Sequence, residues 1–271
     1  MDAKFEGLKE ILGADEGMLV AFSGGVDSTF LLKVAHMVLG DRVMALTTSS
    51  PTAPPGELEA AAELARMIGC RHRTVASHEL DNPLFSGNPV NRCYFCKDEL
   101  YHICRLEADR SGLATVVDGT NLDDLKDHRP GLKAAKEWRV RHPLVEARMS
   151  KDEIRQYSRK LGLPSWNKPA IACLSSRFPY GIEINMERLD KIASCEKFLK
   201  ELRFRDFRVR YHGDLVRIEV AAEEIERFFD AALREAVTRR FNEIGFSYVS
   251  LDLQGYRTGS MNEVLGNRAA K

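Results

Sequence analysis

No stretch of this 271-residue chain approaches the roughly 18 consecutive apolar residues of a membrane-spanning helix, so no such helix is expected in it. Charge of neither sign is in excess: Lys and Arg number 40, and so do Asp and Glu. That balance gives no global basic field to recruit nucleic acid or an anionic membrane, though it allows a local basic patch. The first glycine turn is not followed by Gly-Lys-Ser/Thr, which excludes a Walker A loop, and G-x-G-x-x-G is missing, which removes the dinucleotide fingerprint. Internal repeats and low-complexity tracts are absent, and 44% hydrophobic residues exclude a disordered chain. Cysteine is sparse: Cys70, Cys93, Cys96, Cys104, Cys173 and Cys195. The opening MDAKFEGLKEILGADEG reads as a charged amphipathic stretch and not a signal peptide. The expected compartment is therefore a reducing cytoplasm, where cysteines serve as packing residues, redox thiols or metal ligands.

What is present is an alternation of strands and helices. Phe5, Leu8, Ile11 and Leu12 have helical spacing. Residues 18–22 (MLVAF) form a short continuous apolar run, the mark of a strand buried on both faces, ending at Ser23-Gly24-Gly25. A helix carrying Phe30, Leu31, Val34 and Val38 follows and stops at Gly40. Strands at 43–47, 72–76 and 115–117, and helices at 57–69, 93–110 and 150–161, complete the pattern, with Ser150 as an N-cap. Residues 81–92 read as loop, and 123–142 as irregular with Pro130-Gly131 as a breaker. The expected fold is α/β, a doubly wound parallel sheet over 1–165. A Pro-, Ser- and Gly-rich connector, 166–181, carries Cys173. Beyond it, 182–271 reads as a smaller α+β domain, with a helix at 186–201, strands near 206–211, 214–220 and 246–252, and a long helical region at 222–243.

The hexapeptide Ser23-Gly24-Gly25-Val26-Asp27-Ser28 joins the first buried strand to a helix start. Glycines let backbone bend tightly and approach a ligand, and the unpaired N–H groups of the helix start favour an anion. Ser23 and Ser28 add hydroxyl donors. Ligands of open α/β sheets sit at the carboxyl ends of strands, where this loop falls. A carboxylate beside a phosphate site is unfavourable unless it holds a metal, so Asp27 reads as a Mg²⁺ group.

Cys93 and Cys96 form Cys-Tyr-Phe-Cys at a helix start, one turn apart on one face, where the dipole and nearby cations stabilise thiolates. A closed zinc site needs four ligands, and neither a second CxxC nor a matched His pair is present. A third thiol could come from Cys173, and three thiolates on a [4Fe–4S] cluster would leave one iron open for sulfide. A dithiol redox pair and inert packing remain open alternatives. Cys70, Cys104 and Cys195 read as packing residues. Arg208 and Arg210 alternate with Val209 and Tyr211, so their guanidiniums share a face with His212 and suit phosphate. Arg177 is a further anion-binding candidate; a solvated charged face is the plain alternative for the strand.

SGGVDS resembles the phosphate loop of the adenine nucleotide α-hydrolase superfamily, over roughly residues 15–165. That resemblance implies ATP binding, cleavage between the α and β phosphates and an adenylylated substrate. It puts Asp118-Gly119-Thr120-Asn121 on the phosphate side and Thr47, Thr48 and Ser49 near the adenosine. Together with NRCYFCK, DGTNLDD, HRPG, KPAIACLSSRFPYG and RVRYHGDLVRIEV, the chain resembles the LarE family of ATP-dependent sulfur transferases along nearly its whole length. This resemblance implies a small-molecule nucleotide substrate, pyridinium-3,5-biscarboxylic acid mononucleotide, converted to a thiocarboxylate. It implies roles for Glu196, Arg208 and Arg210, and a homo-oligomer, hexamers included. One branch of the family sacrifices a single cysteine at the Cys173 position. A three-cysteine branch, matching Cys93, Cys96 and Cys173, is expected to carry a [4Fe–4S] cluster. Competing expectations are tRNA thiolation, disfavoured by zero net charge, a PP-loop amide ligase, which leaves three cysteines unused, and a non-catalytic ATP-binding regulator. The sulfide donor is not legible.

Overall fold

Met18–Ala21 is apolar at every position and buried at every position, and it forms an inner strand, β1, of a four-stranded sheet. A computed structural model describes residues 3–126, 130–169, 172–257 and 259–263. His128 and Arg129 of the HRPG motif, and Ala170 and Ile171 of the connector, lie outside the described residues. The chain divides into two compact units: Met1–Phe85 with Val90–Ile171, and Ser86–Pro89 with Ala172–Lys271.

In the first unit β1 lies between β2 (Val43–Ser49) and β4 (Thr115–Asp118), and β3 (Arg71–Ala76) flanks β2. All pairings are parallel. The helices are α1 (Ala3–Gly13), α2 (Val26–Leu39), α3 (Glu57–Ile68), α4 (Pro83–Ser86), α5 (Arg92–Arg110), α6 (Gly131–Glu137), α7 (Pro143–Glu146) and α8 (Lys151–Lys160). Strand residues alternate between the faces. Met18 and Val20 join Phe5, Phe30, Leu31, Ala65 and Ile154 on one side; Leu19 and Ala21 join Tyr101, Cys104 and Ala134 on the other. The sheet is therefore doubly wound, as expected. β2 leaves β1 on one side and β4 on the other, so the strand order reverses across β1, which is where such sheets open a ligand crevice.

Two local readings are corrected. Residues 123–142 are not irregular throughout, since they contain α6. Pro130 sits at its N-cap with φ −52°, in the role proline fills at helix starts and not that of a breaker. Residues 81–92 include α4 and the first residue of α5. Ser150 caps α8 as expected, in a reciprocal capping box with Glu153.

The second unit holds α9 (Met186–Glu201), α10 (Ala231–Ile244) and a three-stranded sheet of β5 (Phe207–His212), β6 (Leu215–Val220) and β7 (Tyr248–Leu251), in that order. β5 and β6 are antiparallel and joined by Gly213-Asp214; Gly213 takes φ +73°, as such a tight hairpin demands. Leu189, Ile192, Leu199, Val209, Val216, Ile218 and Phe241 are buried. The helical region expected over 222–243 is broken: a 3-10 stretch, Ala222–Phe229, precedes α10, and the Asp230 carboxylate caps α10 by accepting from Ala232 and Leu233. Among the described residues no helix is long and apolar enough to cross a membrane.

Candidate functional site

The first unit presents the Ser23–Ser28 turn at the carboxyl end of β1. Gly24 has φ +68°, and a Cβ on it would stand 3.1 Å from Ala61, so both conformation and space require glycine. The Ser23 and Ser28 hydroxyls lie 3.1 Å apart, and the Gly25 N–H donates to Ser23 Oγ at 3.3 Å. Gly25 caps α2 without a side-chain hydrogen bond, so no cap side chain claims the first N–H groups of the helix. The loop after β4 closes on the same place: a Cβ on Gly119 would lie 2.7 Å from Ser28 N.

Side chains from further along the chain brace this turn. Asp27 pairs with Lys151 of α8 and accepts from Asn121 Nδ2 at 3.2 Å. Lys168 donates to the Gly24 carbonyl at 3.3 Å and pairs with Glu57 of α3 at 2.7 Å. Asp118 is buried and accepts from Thr120 N (3.0 Å), Tyr101 Oη (2.6 Å) and His142 Nδ1 (2.7 Å). Burial alone would raise its pKa, but the hydrogen bond from His142, the charge of Lys97 and the Tyr101 hydroxyl hold the carboxyl below the usual carboxylate range. Of the residues expected near adenosine, Thr47 is buried, donates to the Phe22 carbonyl and meets His72 Nε2, both at 2.8 Å; Thr48 is half-buried and Ser49 exposed. Burial lowers the His72 pKa.

Cys93 and Cys96 occupy the first turn of α5, Cys93 exposed and Cys96 half-buried. Cys70, Cys104 and Cys195 are buried, and burial pushes their thiols up to about 11, 12 and 12. They are packing residues, as read. Among the described residues no group of three or more His, Cys, Asp or Glu is gathered to hold a metal ion.

The second unit carries Cys173 and the arginines. Arg177 is buried and meets Glu196 through two bonds, 2.8 and 2.9 Å, while its Nη1 donates to the carbonyls of Ala172 (2.8 Å) and Cys173 (2.9 Å). Arg177 thereby fixes the backbone that carries the Cys173 thiol. Arg210 is also buried; it donates to the Ser176 carbonyl (3.0 Å), Glu219 (2.7 Å) and Ser260 Oγ (2.9 Å). Arg208 differs. Among the described residues it makes no ion pair; it donates to the Phe207 carbonyl (2.6 Å) and the Tyr256 hydroxyl (3.3 Å) and lies 4.7 Å from the Tyr256 ring centre. Burial and then the charges of Arg177 and Arg210 depress its pKa. Arg208 is half-buried, and a partly desolvated guanidinium beside two others favours an anion.

Several residues of these sites escape a reading of the sequence: Lys151, Lys168, His142, Tyr101, Tyr256, Ser260 and Glu219. Only Glu219 leaves a signal. It stands between Ile218 and Val220 on a buried strand, opposite Arg208 in register, so a charge there must be paired.

The NAD synthase family matches residues 8–87, the span of the phosphate turn. Along nine-tenths or more of its length, to within a percent, the chain is similar to three curated proteins. An uncharacterized protein of Synechocystis is 47% identical over 98% of this chain and 99% of its own. The pyridinium-3,5-bisthiocarboxylic acid mononucleotide synthase of Lactiplantibacillus plantarum is 38% identical over 91% of this chain and 89% of its own. An uncharacterized protein of Methanocaldococcus jannaschii is 27% identical over 89% and 91%.

Proposed function

The chain belongs to the LarE family, that of the Lactiplantibacillus synthase, and from that premise we propose an ATP-dependent sulfur transferase acting on pyridinium-3,5-biscarboxylic acid mononucleotide. A ring carboxylate resists sulfide because it is already negative and its oxygen leaves poorly. Adenylylation removes that charge and makes AMP the leaving group; pyrophosphate departs, and sulfur then replaces AMP to give a thiocarboxylate. The observation that carries this reading is the uncapped α2 N-terminus, met by Gly119 at the strand-order reversal, in a chain similar to that synthase over nine-tenths of its length.

Residues 1–165 form the nucleotide part, 166–181 the connector and 182–271 the substrate and oligomerisation part of this reading. Ser23, Gly24, Gly25, Ser28, Gly119 and Thr120 take the triphosphate, with Thr47 and Ser49 toward the adenosine. Mg²⁺ binds through one or two carboxylates together with phosphate oxygens, and Asp27 fits as that carboxylate. Fixed N–H donors stabilise the charge that accumulates on departing pyrophosphate. In the second unit, Arg208 takes the substrate phosphate, being the one of Arg177, Arg208 and Arg210 for which the described residues show no ion pair, while Arg177, Glu196 and Arg210 hold its surroundings. For the sulfur, Cys93 and Cys96 fit a thiolate pair, and the family resemblance adds Cys173 as the third ligand of a [4Fe–4S] cluster, which would supply sulfide in a reducing cytoplasm.

Anaerobic incubation with ATP, Mg²⁺, sulfide and the pyridinium dicarboxylate should release pyrophosphate and yield the thiocarboxylate. ATP binding without pyrophosphate release would overturn the enzyme reading. Anaerobically purified protein should contain iron and acid-labile sulfide, both lost in Cys93→Ala. Dehydroalanine at position 173 after turnover would instead assign the sulfur to Cys173 itself.

A further inference from the structure

Lys168 opens the connector motif KPAIACLSSRFPYG, outside the SGGVDS and DGTN loops, yet its ammonium donates to the Gly24 carbonyl at 3.3 Å. Its backbone is fixed. Its N–H donates to the Ser165 carbonyl (3.0 Å), and Arg155 of α8 grips the chain from outside, Nη1 on the Trp166 carbonyl (3.0 Å) and Nη2 on that of Lys168 (3.1 Å). The guanidinium of Arg159, one turn further along α8, lies 5.1 Å from the Trp166 ring centre. Pro169 follows and restricts the Lys168 backbone further. Two arginines of one helix thus hold a lysine against a glycine loop 144 positions away in sequence.

Its present partner is easily given up. Glu57 is the first residue of α3, where the helix dipole stabilises a carboxylate without help from a lysine. The pair is 2.7 Å long but about a fifth to a quarter exposed on each side, so water stands ready to replace either partner. A triphosphate brings several negative charges to the same loop and outbids one screened carboxylate for a flexible ammonium.

We propose that Lys168 is a phosphate-binding residue, parked on Glu57 and the Gly24 carbonyl in the nucleotide-free chain and transferred to the β or γ phosphate when ATP enters. The inference rests on the ATP-dependent reading above.

Calorimetric titration of full-length protein with ATP and with AMP, without the pyridinium substrate, tests it apart from turnover. Lys168→Ala should weaken ATP by about tenfold or more, as expected for loss of a charge-assisted bond, and AMP by less than about threefold. Lys168→Arg should recover part of the loss. Glu57→Gln frees the lysine without touching it and should tighten ATP or leave it unchanged, so the proposal stays testable if Lys168→Ala melts early. Equal weakening of ATP and AMP in Lys168→Ala, or weaker ATP binding in Glu57→Gln, would make the Lys168–Glu57 pair a prop for the loop and overturn the proposal. Unmutated protein that binds no ATP would instead sink the nucleotide reading itself.

Discussion

In the first unit the groups of the proposed anion site are mainly backbone atoms of six consecutive residues, Ser23 to Ser28, with Gly119 closing from one neighbouring strand. In the second they are guanidiniums, and their partners run from Ala172 to Ser260. Peptide dipoles carry no net charge to bury, so the glycine turn needs space and φ more than counter-ions. Arginines in a protein interior each require a carboxylate or carbonyl, and Arg177 and Arg210 have theirs in Glu196 and Glu219. One proposed anion site is therefore a matter of shape and the other of charge balance, and substitutions should separate them.

The largest effect is expected at Glu219, which is wholly buried and serves both Arg210 (2.7 Å) and Arg217 (3.0 Å). Glu219→Gln should cost about 3–5 kcal/mol in urea unfolding by leaving buried positive charge uncompensated. A cost below about 1 kcal/mol would mean the second site tolerates charge imbalance, and the contrast would fail. Next comes Gly119→Ala. Its methyl meets Ser28 backbone at 2.7 Å, which predicts a loss of roughly 2–3 kcal/mol and ATP affinity reduced at least tenfold.

Asp118→Asn should cost about 1–2 kcal/mol at neutral pH, because it weakens the bonds from His142 and Tyr101. The folded carboxyl titrates below its unfolded value of about 3.9. Its contribution is complete above roughly pH 4 and is lost as pH falls through the folded value. The stability gap between the two proteins should therefore narrow on acidification below about pH 4; a gap independent of pH would remove the charge from the explanation. The smallest change in stability is expected at Asp27→Asn, under about 1 kcal/mol, since its pair with Lys151 is partly exposed. Mg²⁺-dependent ATP binding should nonetheless fall about tenfold or more, which sets a functional carboxylate apart from a structural one.

This difference also decides what could be read in advance. The glycine turn and the strand before it are contiguous, so the doubly wound sheet and the SGGVDS loop are legible from local spacing, while the DGTN loop enters only through the family resemblance. Lys151 and Lys168 act on residues 124 and 144 positions away, and His142 reaches back 24 to Asp118; no periodicity encodes such partners. Arg208 and Arg210 are legible as a shared strand face, but that Arg210 pairs with Glu219 while Arg208 shows no ion pair among the described residues is not. α6 is missed because Pro130 reads as a stop where the fold uses it as a start.

The tetrapeptide Ser86–Pro89 has a consequence for dissecting the protein. It interrupts the first unit in sequence yet is bound into the second: Asn88 Nδ2 donates to the Pro179 carbonyl at 2.7 Å, Gly181 N–H to the Asn88 carbonyl at 2.9 Å, and Ile184 N–H to the Ser86 carbonyl at 2.7 Å. The polypeptide passes from one unit to the other three times, so no single cleavage point yields two intact halves. A fragment ending at Ile171 keeps those four residues but loses the Pro179, Gly181 and Ile184 backbone they bond to, and one beginning at Ala172 lacks the buried asparagine on which Pro179 and Gly181 are hung.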